Sequence, residues 1–437
     1  MKKVIFILSG IGLCILLIIA WIVAVNAKTT AEKQLVLINQ ATVLMDRGIY
    51  IRAVPLLEEA AQYDAVHTLY AETKLKRAYF ALMKTGGISR KYTTLLDKQM
   101  NRRNAESTIF IEAAEFYLET SKIQEALAVL RNGIEKTGDV TLVTLYENSR
   151  YSFEINRTAY EDVTALYGQT IQVKLDGKWG IANVDGSLLI PCEYDKISNF
   201  SRERAIVNKD DEIYAIDKNN NRIAISPEGV TGFGNYGNDR IPLYINGGWV
   251  RASGEFDLGS TVFEDIGMYS GGFTAAKTDG KWGVIDLANE WLITPQYDDV
   301  IKDGFGRCFA QGAVFVRSGD LIYLTVNGIK TANIYDDARP FGNEGYAAVK
   351  KNGYWGFIDT AGNEIIPFIY DDALSFGQHL AAVKYGNYWG YISIYGHMVI
   401  KPQFLNAKSF SEGSAPVLTQ RGWQIITLLE MKRGLNL

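Results

Sequence analysis

Between Thr30 and about Tyr160, apolar residues recur every three or four positions, the spacing of helices that bury one face. Leu35, Ile38, Ala41 and Leu44 make one stripe, which Gly48 ends, and Ala53, Leu56, Leu57 and Ala60 begin the next. Near Leu166 the period shortens to two and glycine becomes frequent. Ile171, Val173 and Leu175 alternate, Asp176-Gly177 turns the chain, and Lys178-Trp179-Gly180-Ile181 returns. Asp-Gly or Asn-Gly between alternating runs predicts a β-hairpin, because a type I′ turn needs positive φ at both central residues. The hairpin is rebuilt at Asp279-Gly280, Asn352-Gly353 and Gly386-Asn387. After each return strand come a second turn and a short apolar strand with a proline, such as Ile190-Pro191 or Ile366-Pro367. A step such as Tyr194-Asp195 or Tyr370-Asp371-Asp372 follows.

The β pattern is periodic. Lys351 to Asp359 recurs as Tyr385 to Ser393, 34 residues later, and worn copies align with it. Return strands are expected near Trp179, Tyr214, Trp249, Trp282, Ile322, Trp355, Trp389 and Trp423, at spacings of 33 to 40 residues. Self-similarity at this period means stacked supersecondary units. Two architectures fit: a closed seven- or eight-bladed β-propeller, or an open β-solenoid. The hairpin at 415–429 either completes a blade with the Ile171–Ile181 hairpin or makes an eighth.

The residues that repeat are Trp179, Gly180, Trp282, Gly283, Trp355, Gly356, Trp389 and Gly390, with Trp423 in the last copy. A large ring at one phase of every unit fits an internal wedge between sheets, with the glycine admitting a close backbone or a bulge. The competing role is a row of exposed platforms for a sugar or a peptide. Repeated Tyr-Asp-Asp steps fit aspartates that cap turn N–H groups. A catalytic acid pair would need one constellation rather than several.

Together, the Trp-Gly pairs, prolines and Tyr-Asp steps over about residues 170–430 resemble the WG-repeat family of bacterial proteins. The departures are Tyr214 and Ile322, where Trp-Gly is absent, and Val250, which stands where glycine would follow Trp249. Those units should keep their strands and lose the shared packing residue. In the helical part, Ala41, Leu44, Gly48, Tyr50, Ala53, Leu57 and Ala60 resemble a tetratricopeptide helix–turn–helix. The expected chain is thus α+β and multidomain, with an anchor over 1–27, a tetratricopeptide-like helical domain over 28–160 and a WG-repeat β domain over 168–430. The family resemblance implies architecture and no assigned reaction.

Val4 to Val25 is an almost unbroken apolar run, long enough as a helix to cross a bilayer core of about 30 Å. Lys2 and Lys3 precede it, which predicts a single-pass signal anchor with the N-terminus inside and the bulk of the chain outside the cytoplasmic membrane. A formal charge of −4 offers no basic footprint for nucleic acid. The chain has three histidines and three cysteines, without HExxH, CxxC or P-loop spacing. Asp217, Asn219, Asn221 and Glu228 match part of an EF-hand loop, but Arg222 stands where glycine is required. No catalytic, metal or cofactor-binding residue is assigned. The expected function is non-catalytic binding or scaffolding of protein partners. Two alternatives are a cell-envelope glycan-binding module, with exposed aromatics such as Tyr269, Tyr346 or Tyr388, and a hydrolase with an unrecognised site.

Overall fold

Helices come first, as the spacing requires. The computed structural model describes residues 2–83 and 89–430, with side chains in the first helix described at Trp21 and from Val25 onward. Among these residues the helices are α1 (Lys2–Asp46), α2 (Tyr50–Gln62), α3 (Thr68–Met83), α4 (Ser89–Met100), α5 (Ser107–Glu119), α6 (Ile123–Thr137) and α7 (Val140–Arg150). The chain divides into two compact units, Met1–Tyr146 and Glu147–Leu437. The run Val4 to Val25 lies within α1, but apart from Trp21 and Val25 its side chains fall outside the described residues. Among the described residues, no helix is long and apolar enough to cross a membrane, so the expected anchor gains no support from them.

In the first unit, α1 packs on α2, α2 on α3, and α5 on α6. Of the stripes read from the sequence, Ile38, Ala41, Ala53, Leu57 and Ala60 are buried in the core beside Leu75 and Phe110, whereas Leu35 is exposed. One charge is buried there too. Glu72 on α3 accepts hydrogen bonds from Gln99 Nε2 at 3.0 Å and Arg102 at 2.7 Å, with Lys98 at 3.2 Å. Burial pushes its carboxyl up. The bonds from Gln99, Lys98 and Arg102 outweigh that and hold it below the ordinary glutamate value. A depressed pKa contributes stability that is present above the unfolded value and lost as pH falls through the folded one. Glu72→Gln should therefore cost about 1–3 kcal/mol at neutral pH, and its gap from wild type should close at acid pH. Urea melts followed by far-ultraviolet circular dichroism check this; a gap independent of pH would contradict it.

The second unit is an eight-bladed β-propeller. Each blade is a four-stranded antiparallel sheet, and in blades 1 to 7 the strands follow chain order: 162–194, 196–225, 230–263, 265–297, 299–335, 337–370 and 372–404. The eighth blade pairs Asn406–Ala407, Ser414–Thr419 and Gly422–Leu428 with a fourth strand from far upstream, Phe153–Ile155. The ring is therefore closed, and the open-solenoid alternative is set aside. The final hairpin makes an eighth blade, completed by residues before the first hairpin rather than by that hairpin. All eight expected return strands are third strands of blades. The β region begins at Phe153, inside the range where helical spacing was expected to continue.

Closing the ring packs side chains of the first blade against those of the last, among them Val163 and Val173 against Trp423 and Ile425, and leaves each blade only short edges. The longest repeat spacing, from Trp282 to Ile322, has a structural destination. Its extra residues form the loop around Phe305, whose ring meets Tyr167 edge-on at 5.7 Å. Tyr167 belongs to blade 1 and Phe305 to blade 5, opposite positions in an eight-membered ring, so this contact reaches across the axis.

Candidate interaction surface

Each Trp-Gly pair opens a third strand. Trp282, Trp355, Trp389 and Trp423 are buried, and Trp179 is half-buried. Cations cover some ring faces: Lys302 Nζ lies 3.5 Å from the Trp282 centroid, and the Arg339 guanidinium 4.4 Å from that of Trp355. Rings enclosed in this way are wedges, and the exposed-platform role is excluded for these four.

The glycine is needed because the facing strand bulges into it. In blade 1, Trp179 pairs with Tyr194 but Ile181 pairs with Ile190, so the fourth strand has two extra residues there. Blades 4, 6 and 7 repeat the bulge around Pro295, Pro367 and Pro402. A Cβ added to Gly180, Gly283 or Gly390 would lie 2.5, 2.3 or 2.4 Å from the carbonyl oxygen of Ile190, Ile293 or Ile400. Gly356 meets the Ile366 carbonyl at 2.9 Å. Where the sequence lacks this glycine, the bulge moves. Val250 pairs directly with Val262, Ala215 with Ala224, and Tyr323 with Ile334. Proline falls on the fourth strand, the sheet edge, where its missing donor is tolerated.

The Tyr-Asp steps are turn caps. Asp371 Oδ2 accepts the Gly386 N–H at 2.7 Å, Asp298 Oδ2 that of Gly319 at 2.7 Å, and Asp195 Oδ2 that of Asp210 at 3.1 Å. Each ties the link between two blades to the hairpin of the blade it enters. Lys178 holds the Asp195 carboxyl below the ordinary range, helped by the Asp210 N–H, and Lys281 with the Gly319 N–H does the same for Asp298. The EF-hand-like stretch is an Asx turn, with Asp217 Oδ1 accepting from Asn219 N at 2.9 Å and Asn221 N at 2.8 Å. Among the described residues, no group of three or more His, Cys, Asp or Glu is placed to hold a metal ion.

Two grooves on the propeller, among the described residues, are wide enough to seat a side chain of a partner. The first, about 420 Å³, lies where blades 2 and 3 meet. Two of its three arginines are answered by acids: Arg202 pairs with Asp239, and Arg204 with Glu255 at 3.0 Å. Tyr236 forms part of its wall, with a buried hydroxyl that has no hydrogen-bond partner. The second groove, about 470 Å³, lies between blades 7 and 8 and includes Arg157, Tyr388, Leu405 and Arg421. No acid lines it. Of the aromatics expected to be exposed, Tyr388 is, Tyr346 is half-buried, and Tyr269 is buried. Sequence reasoning singled out the repeated residues and missed Arg157, Leu405 and Arg421, whose only signal is that they break the repeat.

Six segments match the family described as WG containing repeat: residues 179–212, 261–282, 282–320, 334–355, 355–389 and 389–422. The stretches between them, 213–260 and 321–333, hold the three units in which the Trp-Gly pair is lost. No curated protein matches the chain. Among solved structures, the chain is similar to a eukaryotic initiation factor at 10% identity and a TM-score of 0.40, over 60% of this chain and 82% of that one. It is also similar to Hsv2 of Kluyvelomyces marxianus, at 10% identity and a TM-score of 0.35, over 61% and 97% of the two chains. A third similar structure is YCF48 bound to D1 peptide, at 10% identity and a TM-score of 0.34, over 64% and 95%. Six segments within residues 179–422 thus match the WG containing repeat, and they lie in the blades of an eight-bladed β-propeller.

Proposed function

We propose that the chain is a non-catalytic scaffold that presents its propeller to protein partners. One observation carries this reading. The residues that repeat are consumed by the fold, as wedges, bulge acceptors and turn caps, whereas four hairpin tips depart from the Asp-Gly or Asn-Gly of blades 1, 3, 4 and 6: Asp210-Asp211, Gly319-Asp320, Gly386-Asn387 and Gln420-Arg421. A repeat array whose framework residues recur while several of its tips change is suited to recognition rather than to a single reaction. In the same proposal, the helical hairpins are tetratricopeptide-like, and the run Val4 to Val25 anchors the chain in the cytoplasmic membrane with the propeller outside.

A glycan-binding role is the second reading, favoured by Tyr354 and Tyr388. They occupy the same position in successive blades and are 52% and 48% exposed. Crosslinking followed by pull-down of the full chain from its native membrane separates the two. Enrichment of a defined protein is the expected result, and recovery of glycan alone would reject the scaffold. Protease added to intact cells should degrade the propeller; full protection would overturn the external placement.

A further inference from the structure

Eight blades receive a chain link, and six links carry an acid to the hairpin of the blade they enter. Glu161 accepts from Asp176 N and Gly177 N, Asp195 from Asp210 N, and Glu264 from Gly280 N. Asp298 accepts from Gly319 N, Asp336 from Gly353 N, and Asp371 from Gly386 N. Two links break the rule: the link into blade 3, Ser226 to Gly229, brings no acid to the Asn246-Gly247 turn, and in the link into blade 8 Phe404 is followed by Leu405, with no carboxylate among the described residues reaching the Gln420-Arg421 turn. The second groove is built at the vacancy in blade 8.

The surroundings of the missing acid are also exchanged. Lys178 and Lys281 stand beside the link acids Asp195 and Asp298; the same position is Tyr354 in blade 6, whose link keeps Asp371, and Tyr388 in blade 7, whose link has lost the acid. Positive charge comes instead from Arg157 and Arg421, neither of whose guanidinium groups has a partner among the described residues. Leu405, Ile155 and Tyr388 line the same groove and are each more than 40% exposed. The Gln424 side chain is held by Thr419 Oγ1 at 2.8 Å and by Asn156 O at 2.7 Å, which fixes one wall.

From this arrangement we infer that the groove between blades 7 and 8 binds an acidic segment of a protein partner, one of whose carboxylates takes the place of the missing link acid. The inference rests on the scaffold reading and names its partner chemistry. Two guanidinium groups match carboxylates in a fork geometry. The apolar Leu405, Ile155 and Tyr388 surfaces match aliphatic or aromatic side chains beside those carboxylates, which a plain polyanion lacks.

The test uses the full chain in detergent and a fluorescein-labelled synthetic peptide of alternating glutamate and phenylalanine, with binding read by anisotropy at low salt. Binding should weaken at least tenfold in R157Q/R421Q. It should weaken as much in Leu405→Asp, which restores the chain's own cap and blocks the ligand's carboxylate, whereas Leu405→Asn should bind within about twofold of wild type. A Leu405→Asp variant that binds the peptide as wild type does would overturn the inference. So would the absence of any peptide binding, or tighter binding of oligogalacturonate than of the peptide, which would make the ligand a glycan. If the groove fails while the pull-down still recovers a protein, the scaffold reading stands and only this site is lost.

Discussion

Gly283→Ala is expected to destabilise the propeller by about 3 kcal/mol, the upper end of ordinary overpacking costs. Most overpacked sites relax by turning a side chain. Here the new methyl would sit 2.3 Å from the Ile293 carbonyl oxygen and 2.8 Å from the Trp291 ring, so backbone must move as well. The strand carrying that carbonyl is already bulged, with Trp282 facing Tyr297 and Val284 facing Ile293. Relief would require the direct pairing that the glycine-free blades use, and that would shift Pro295 into the ladder. Two controls separate this clash from generic effects of losing a glycine. Gly280→Ala meets no atom within 4 Å but has φ of +73°, and should cost about 1 kcal/mol. Gly254→Ala has open space and no positive φ, and should be nearly neutral. Denaturant melts followed by tryptophan fluorescence give the order; equal losses at Gly283 and Gly280 would show that the bulge is not what demands glycine.

That contrast bears on how much could be read before the structure. Each β-unit announces itself because its signals are local: a two-residue turn, a period of two, a proline at an edge and an aspartate beside a turn. Eight return strands follow from those signals alone. The link between Trp-Gly and the bulge is not local, since Gly180 and Ile190 are brought together by strand pairing, and only three-dimensional register shows why Val250 coincides with a different bulge. The closing strand was hidden for a different reason. Phe153–Ile155 is three residues long, too short for any period to register, and its partner lies over 270 residues away. The groove between blades 7 and 8 was half legible. Phe404-Leu405-Asn406 visibly departs from the Tyr-Asp-Asp step, but the sequence does not say which hairpin that step caps, nor that Arg157 arrives beside it.

Asn156→Pro should open the ring. Asn156 follows the closing strand and makes three connections to blade 8. Its N–H donates to Ile425 O at 2.9 Å, its Oδ1 accepts the Ile425 N–H at 2.8 Å, and its carbonyl accepts Gln424 Nε2 at 2.7 Å. Proline removes the donor and the amide side chain together. The Ile425 N–H then loses its partner in a residue that is 1% exposed. A lost ladder bond and an orphaned buried donor each cost about 1–3 kcal/mol, so a total of about 3 kcal/mol or more is expected. The consequence is larger than the energy implies, because the eighth blade loses its outer strand. Freeing Phe153–Ile155 exposes the edge of Gly422–Leu428, a template for pairing with another chain. The variant should therefore melt earlier and show concentration-dependent self-association by light scattering. Asn156→Ala, which keeps the backbone donor, should lose about 1–2 kcal/mol and stay monodisperse. Self-association of the alanine variant to the same degree would show that the side chain, rather than the strand ladder, is what keeps the ring shut.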